Sequence, residues 1–192
     1  YYKQMGFKLE EMKEVLESEN YEVHQNSFHR KIDELKQLRE DINVSYISVS
    51  DWYDLIMEAT SVIENDVTEV SVKYIESMRV CYMEQEFSHN YMDSIININW
   101  TNYLEEINHA ITGPVYITFL DVKEKLAGKN TKIYVFQRGA KDIDDNKTIT
   151  IGGKMMISAY HIGSHNNINE TYEKIFEWAE AHGYKCGNTS IE

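Results

Sequence analysis

Apolar residues follow a helical period over the first third of this chain and an alternating one after about residue 66. Leu9, Met12, Val15 and Leu16 predict a helix over 9–16, with Phe7 placed to pack just before it. Phe28, Ile32, Leu35 and Ile42 step by four, three and seven, with Arg39 in the intervening slot, on a second helix from 21 to about 44. So narrow an apolar seam on a charged helix suits a partner helix; packing on its own domain is the alternative reading. Polar and β-branched residues over 43–50 predict a break, after which Asp51 can cap a third helix carrying Trp52, Leu55, Ile56, Ala59 and Ile63.

Beyond residue 66, Val70, Val72 and Tyr74 alternate, as do Met78, Val80 and Tyr82, giving one long strand or a bulged pair with an irregularity near Glu76. Ile95, Ile96, Ile98, Tyr103, Leu104, Ile107 and Ile111 define a helix ending near 112–114. Strands over 115–120 and 133–138 follow, joined by a polar loop over 123–130. A second unit repeats the order: a strand over 155–161, then a helix with Ile168, Tyr172, Ile175, Phe176 and Ala179 on one face, started by a capping-box-like Asn167-x-x-Glu170 and ended by Gly183. Ser190, Ile191 and Glu192 open another strand. The pattern predicts an α+β chain: a helical arm, then a duplicated β-α-β-β domain cut before its last strand.

Charge narrows the partners. The formal net charge of −13 opposes contact with a polyanion, so this segment is expected not to bind nucleic acid. An acidic surface favours cations, or simply confers solubility. Cys81 and Cys186 form no CxxC, which implies neither a zinc cluster nor a disulfide framework and fits a cytoplasmic protein. No apolar run is long enough to span a bilayer, and no cofactor motif is present.

The opening Gly6-Phe7-x-Leu9-Glu10-Glu11, with the closing run from His161 through the Gly183 turn to Glu192, resembles a MerR-family transcription regulator whose sensing half is a GyrI-like effector-binding domain of the BmrR type. The resemblance implies that residues 1–66 are the end of a MerR-type helical region with the dimerisation coiled coil and a bridging helix, and that 67–192 are the effector-binding domain. It implies a homodimer through Phe28, Ile32, Leu35 and Ile42, and promoter DNA bound only through a winged helix missing from this chain. The start at Tyr1 and the end on Ile191-Glu192 are expected to be cuts through a longer protein. Two departures stand out: Lys8 occupies the place of the usual Ser or Thr helix cap, and His165 that of an aromatic residue.

Side-by-side modules create a cleft, a usual place for ligands. Tyr91, Trp100, Tyr134 and Tyr160 are candidate aromatic walls, together with His165, although core packing is the alternative for each. Strand alternation prevents Tyr116 and Phe119 from sharing a face. The resemblance makes Glu192 the leading ligand contact, since a buried carboxylate with aromatic walls suits a small lipophilic or cationic aromatic effector; an exposed strand-end glutamate is the alternative. The His161-x-x-x-His165 pair has no evident further metal ligands. Some GyrI-like proteins resemble hydrolases, in which Glu192 would act as acid or base, but no triad is identifiable and the helical arm belongs to a switch. A dimerisation module with an empty cleft is the third reading.

Overall fold

A computed structural model describes residues 1–95, 98–107, 109–110, 112–139, 146 and 148–192. Ile96 and Ile111, assigned above to an apolar helix face, lie outside the described residues. The chain divides into two compact units, Tyr1–Tyr46 and Ile47–Glu192.

The first unit holds α1 (Leu9–Glu17) and the start of α2 (Tyr21–Glu64). Lys8 has no side-chain acceptor with which to cap α1, but its backbone N–H donates to Glu11 Oε2 at 2.7 Å, one half of a capping box. Val15 is fully buried, and Phe7 packs edge-on against Phe28 with ring centroids 5.2 Å apart. Phe28 therefore belongs to an aromatic cluster of the arm itself. The buried Lys31 pairs with Glu11 at 2.9 Å and Glu34 at 2.5 Å. Those carboxylates, Glu34 foremost, hold its amine above the ordinary lysine range.

The predicted break over 43–50 is absent, because α2 is one helix of 44 residues. Polar and β-branched residues cost only tenths of a kcal/mol each relative to good helix formers, which is too little to outweigh the cooperativity of an established helix. Asp51 consequently caps nothing. It accepts from Arg138 Nη1 at 3.1 Å instead.

In the second unit, β1 (Ser71–Ile75) pairs with β6 (Lys154–Ser158), while β2 (Met78–Phe87) lies between β5 (Thr148–Ile151) and β4 (Thr131–Arg138). Adding β3 (Tyr116–Phe119) and β7 (Ser190–Ile191) completes an antiparallel five-stranded sheet in the order β5-β2-β4-β3-β7. The irregularity at Glu76 is a bend, not a bulge. Ile75 faces Lys154 and, three residues later, Met78 faces Ile151, so neither side gains a residue. Gly152 makes the bend possible: its φ is +84°, and a Cβ there would lie 2.1 Å from the carbonyl oxygen of Glu76.

The helix expected between β2 and β3 is present as α3 (Tyr91–Ile95) and α4 (Ile98–Glu106). Trp100 and Leu104 of α4 join Cys81, Phe87, Ile117, Phe119, Ile133 and Val135 in the core. The segment read as a polar loop contains a further short helix, α5 (Val122–Leu126). In the second half, α6 (Ile168–Ala181) buries Tyr172 and Ala179. Asn167 does not cap it through its side chain. Ser164 instead caps a 3-10 turn, His165–Asn167, that runs into α6.

Candidate ligand-binding site

Glu192 is positioned by the edge of the five-stranded sheet. Its N–H donates to the Ile117 carbonyl at 2.8 Å, and the Ile117 N–H donates back to its own carbonyl at 2.9 Å. Residues directly opposite in a sheet share a face, so the Glu192 side chain lies on the core side with Ile117 and Phe119. That carboxylate enters an apolar region.

It meets Lys125 there. Asp121 caps α5 by accepting from the Glu124 N–H at 3.0 Å, and the Val122 N–H donates to the Asn188 carbonyl at 2.9 Å, fastening the helix beside the chain that leads into β7. Val122 and Lys125 are three residues apart, share the inner face and are both buried, whereas Lys123 and Glu124 are exposed. The Lys125 ammonium forms an ion pair with Glu192 Oε1; the two side chains retain only 3% and 14% exposure. It also sits 4.3 Å from the Phe119 ring centroid and 4.1 Å from that of Tyr172. Burial pulls its pKa down, against the opposing pull of Glu192.

The Tyr172 hydroxyl donates to Glu192 Oε1 at 2.5 Å and lies 2.6 Å from Ser190 Oγ. Tyr91 closes another side, edge-on to Phe87 at 5.0 Å and with the His165 ring 4.7 Å from its own. Burial raises the pKa of both phenols, and the charge of Glu192 adds to the effect. Tyr91 and Glu192 are neighbours, and their contact is among the causes of the raised Tyr91 pKa. Among the described residues, neither the Tyr91 hydroxyl nor Glu192 Oε2, both buried atoms, has a hydrogen-bond partner of ordinary geometry.

Three of the six candidate ligand residues, Glu192, Tyr91 and His165, thus come together. Trp100 packs in the core, stacked on Tyr103 at 5.7 Å. Tyr134 lies on the opposite face of the sheet: it pairs with Thr118, one residue out of phase with the Ile117–Val135 pair, and its ring sits 4.8 Å from Tyr82. Tyr160 borders a separate groove of about 370 Å³ formed with Glu58, Val62, Glu69, Val70 and Lys73. Its hydroxyl donates to Glu58 at 2.6 Å and accepts from Lys73 at 2.8 Å. Both ring nitrogens of His161 are engaged, with Thr171 Oγ1 and the Ser164 carbonyl, each at 2.8 Å.

Sequence reasoning missed Lys125 and assigned Tyr172 to packing alone. The Asp121-x-x-Glu124 spacing, a helix-start signal, is the one local clue that residues 123–126 are not simple loop. Nothing local marks Lys125 as buried.

An antiparallel sheet, covering helices and a buried polar centre with aromatic walls describe a small-molecule-binding domain. The sequence matches the GyrI-like small molecule binding domain over residues 68–192, and the chain belongs to that family. Among solved structures, the cryo-EM structure of the EcmrR-DNA complex in EcmrR-RPo is similar to this chain at 16% identity, covering 99% of this chain and 70% of that one, with a TM-score of 0.47. No curated protein matches the sequence. Among the described residues, no helix is long and apolar enough to cross a membrane.

Proposed function

We propose that this chain is the ligand-sensing and dimerising part of a MerR-family transcription regulator, with residues 1–66 as the arm and 67–192 as the effector-binding domain. The effector is a small lipophilic or cationic aromatic molecule, and promoter DNA is contacted only through a winged helix outside this chain. The observation that carries the reading is Glu192 itself, a mostly buried carboxylate of the family domain that pairs with Lys125 beside Phe119 and accepts from Tyr172, while its second oxygen has no hydrogen-bond partner among the described residues. This setting suits binding more than turnover, since the other oxygen is already held by Lys125 and Tyr172.

The homodimer is supported by the seam on α2. Ile32, Leu35 and Ile42 are 49%, 46% and 61% exposed. Because the helix does not break, the same four-three phase continues through Tyr46, Val49, Tyr53, Ile56 and Ile63, all exposed. Exposed apolar residues repeating over several heptads call for a partner helix.

Ligand would favour one arrangement of domain and arm over another, which requires unequal affinity for the two. A thermal-shift screen against cationic, neutral and anionic aromatic compounds, with Glu192→Gln in parallel, tests the reading. A ligand that stabilises the protein and loses its effect in Glu192→Gln supports it. Equal shifts in both proteins would remove Glu192 from the site.

A further inference from the structure

The charge that Glu192 could offer to a cation is already taken. Lys125 places its ammonium in the position an aromatic cage reserves for a ligand cation, over Phe119 and Tyr172 and against the carboxylate. It is supplied by the fold: α5 is tied through Asp121 to its own backbone and through Val122 to Asn188. A tethered cation needs no translational entropy to return to its cage, so it competes with any free cation at high effective concentration. Among the described residues, Glu192 Oε2 and the Tyr91 hydroxyl have no hydrogen-bond partner of ordinary geometry, and that remaining capacity suits neutral groups. Glu192 Oε2 can accept from an N–H or O–H, and the Tyr91 hydroxyl can donate or accept.

Building on the ligand-sensing reading, we infer that Lys125 sets the charge preference of the site: it fills the cation position, and the effector is an uncharged aromatic molecule that donates a hydrogen bond to Glu192 Oε2. A lipophilic cation enters only by displacing the lysine and forfeits the Lys125–Glu192 pair. Exchanging lysine for a neutral side chain of similar length converts the site into a cation receptor.

Binding of tetraphenylphosphonium and of triphenylmethanol, a neutral hydroxyl donor of similar bulk, is to be measured by calorimetry on the whole chain, wild type against Lys125→Met, Lys125→Arg and the double variant Lys125→Met/Glu192→Gln. The wild type is expected to prefer triphenylmethanol. Lys125→Met should gain at least about tenfold for tetraphenylphosphonium, Lys125→Arg should not, and the double variant should lose the gain. Equal tetraphenylphosphonium affinity in wild type and Lys125→Met would overturn the inference, as would a gain that survives in the double variant. Should the unpaired carboxylate keep Lys125→Met from folding, the wild type decides alone, because a wild-type preference for tetraphenylphosphonium contradicts a filled cage. Binding of neither probe by any variant that folds would instead overturn the ligand-sensing reading, and this inference with it.

Discussion

Lys125 and Glu192 lie 67 residues apart in sequence and form a largely buried ion pair beside the rings of Phe119 and Tyr172. A buried pair contributes little net stability over an apolar replacement, yet losing one partner leaves the other charge uncompensated. Glu192→Gln is therefore expected to lower unfolding free energy by about 3 kcal/mol. The double variant Lys125→Met/Glu192→Gln should recover a good part of that loss. Urea denaturation of the four proteins in the cycle measures both effects, and a double variant weaker than the sum of the singles would contradict the coupling.

The buried phenols make an alkaline prediction. Tyr91, Tyr172, Tyr103 and Tyr116 all have pKa values raised, chiefly by burial. A folded pKa above the unfolded value of about 10 gives stability that is complete below pH 10 and is lost as pH rises further, because only the unfolded chain releases those protons. Lys125 works the other way: with its folded pKa lowered, its share of stability increases as pH rises toward about 10.4. Four phenols against one amine give a net fall above pH 10. Urea midpoints from pH 8 to 11 should fall above pH 10, and phenolate absorbance at 295 nm should show these tyrosines ionising at higher pH in the folded protein than in urea.

Gly152 has no room for a side chain. A Cβ at 2.1 Å from the Glu76 carbonyl oxygen, at a φ of +84°, forces the bend between the two sheets to open. Gly152→Ala is expected to cost about 2 kcal/mol or more. Gly128 also has a positive φ, but among the described residues no atom lies within 4 Å of an added Cβ, so Gly128→Ala should cost less. Comparison of the two melting temperatures separates close approach from backbone strain.

The seam on α2 predicts a change of assembly state. Polar replacement of Ile32 and Leu35 together should yield monomers in sedimentation velocity with the helical signal of the fold kept. Phe28→Ala should act differently, loosening the arm's own packing against Phe7. A dimer that persists in the Ile32 and Leu35 variant would mean that another surface holds the protomers.

The two thiols should differ in reactivity. Cys81 is fully buried, and burial pushes its pKa up to about 11, whereas Cys186 is partly exposed. A thiol reagent at pH 8 should label one cysteine in the native protein and two in urea. Rapid native labelling of Cys81 would show that the core opens around β2.

Features carried by neighbouring residues were legible from sequence. The period of Leu9, Met12 and Val15 gives α1, that of Ile168, Tyr172 and Ile175 gives α6, and that of Ile32, Leu35 and Ile42 gives an exposed apolar stripe on α2, since a helix repeats its own face at a fixed interval. Family resemblance, and no local pattern, drew attention to Glu192. What tertiary structure alone decided depends on partners far along the chain. Register across three strands puts Tyr134 on the face opposite Glu192, and no property of residue 134 reveals this. The bend at Glu76 needs Gly152, which lies far along the chain in the connection between β5 and β6. Lys125 is the sharpest case: within its own segment it is one charge among Lys123, Glu124 and Lys129, and it becomes buried only because Glu192, Phe119 and Tyr172 converge on it. Periodicity is a local property of the backbone, whereas the desolvation of a charge and its compensation are properties of the whole fold.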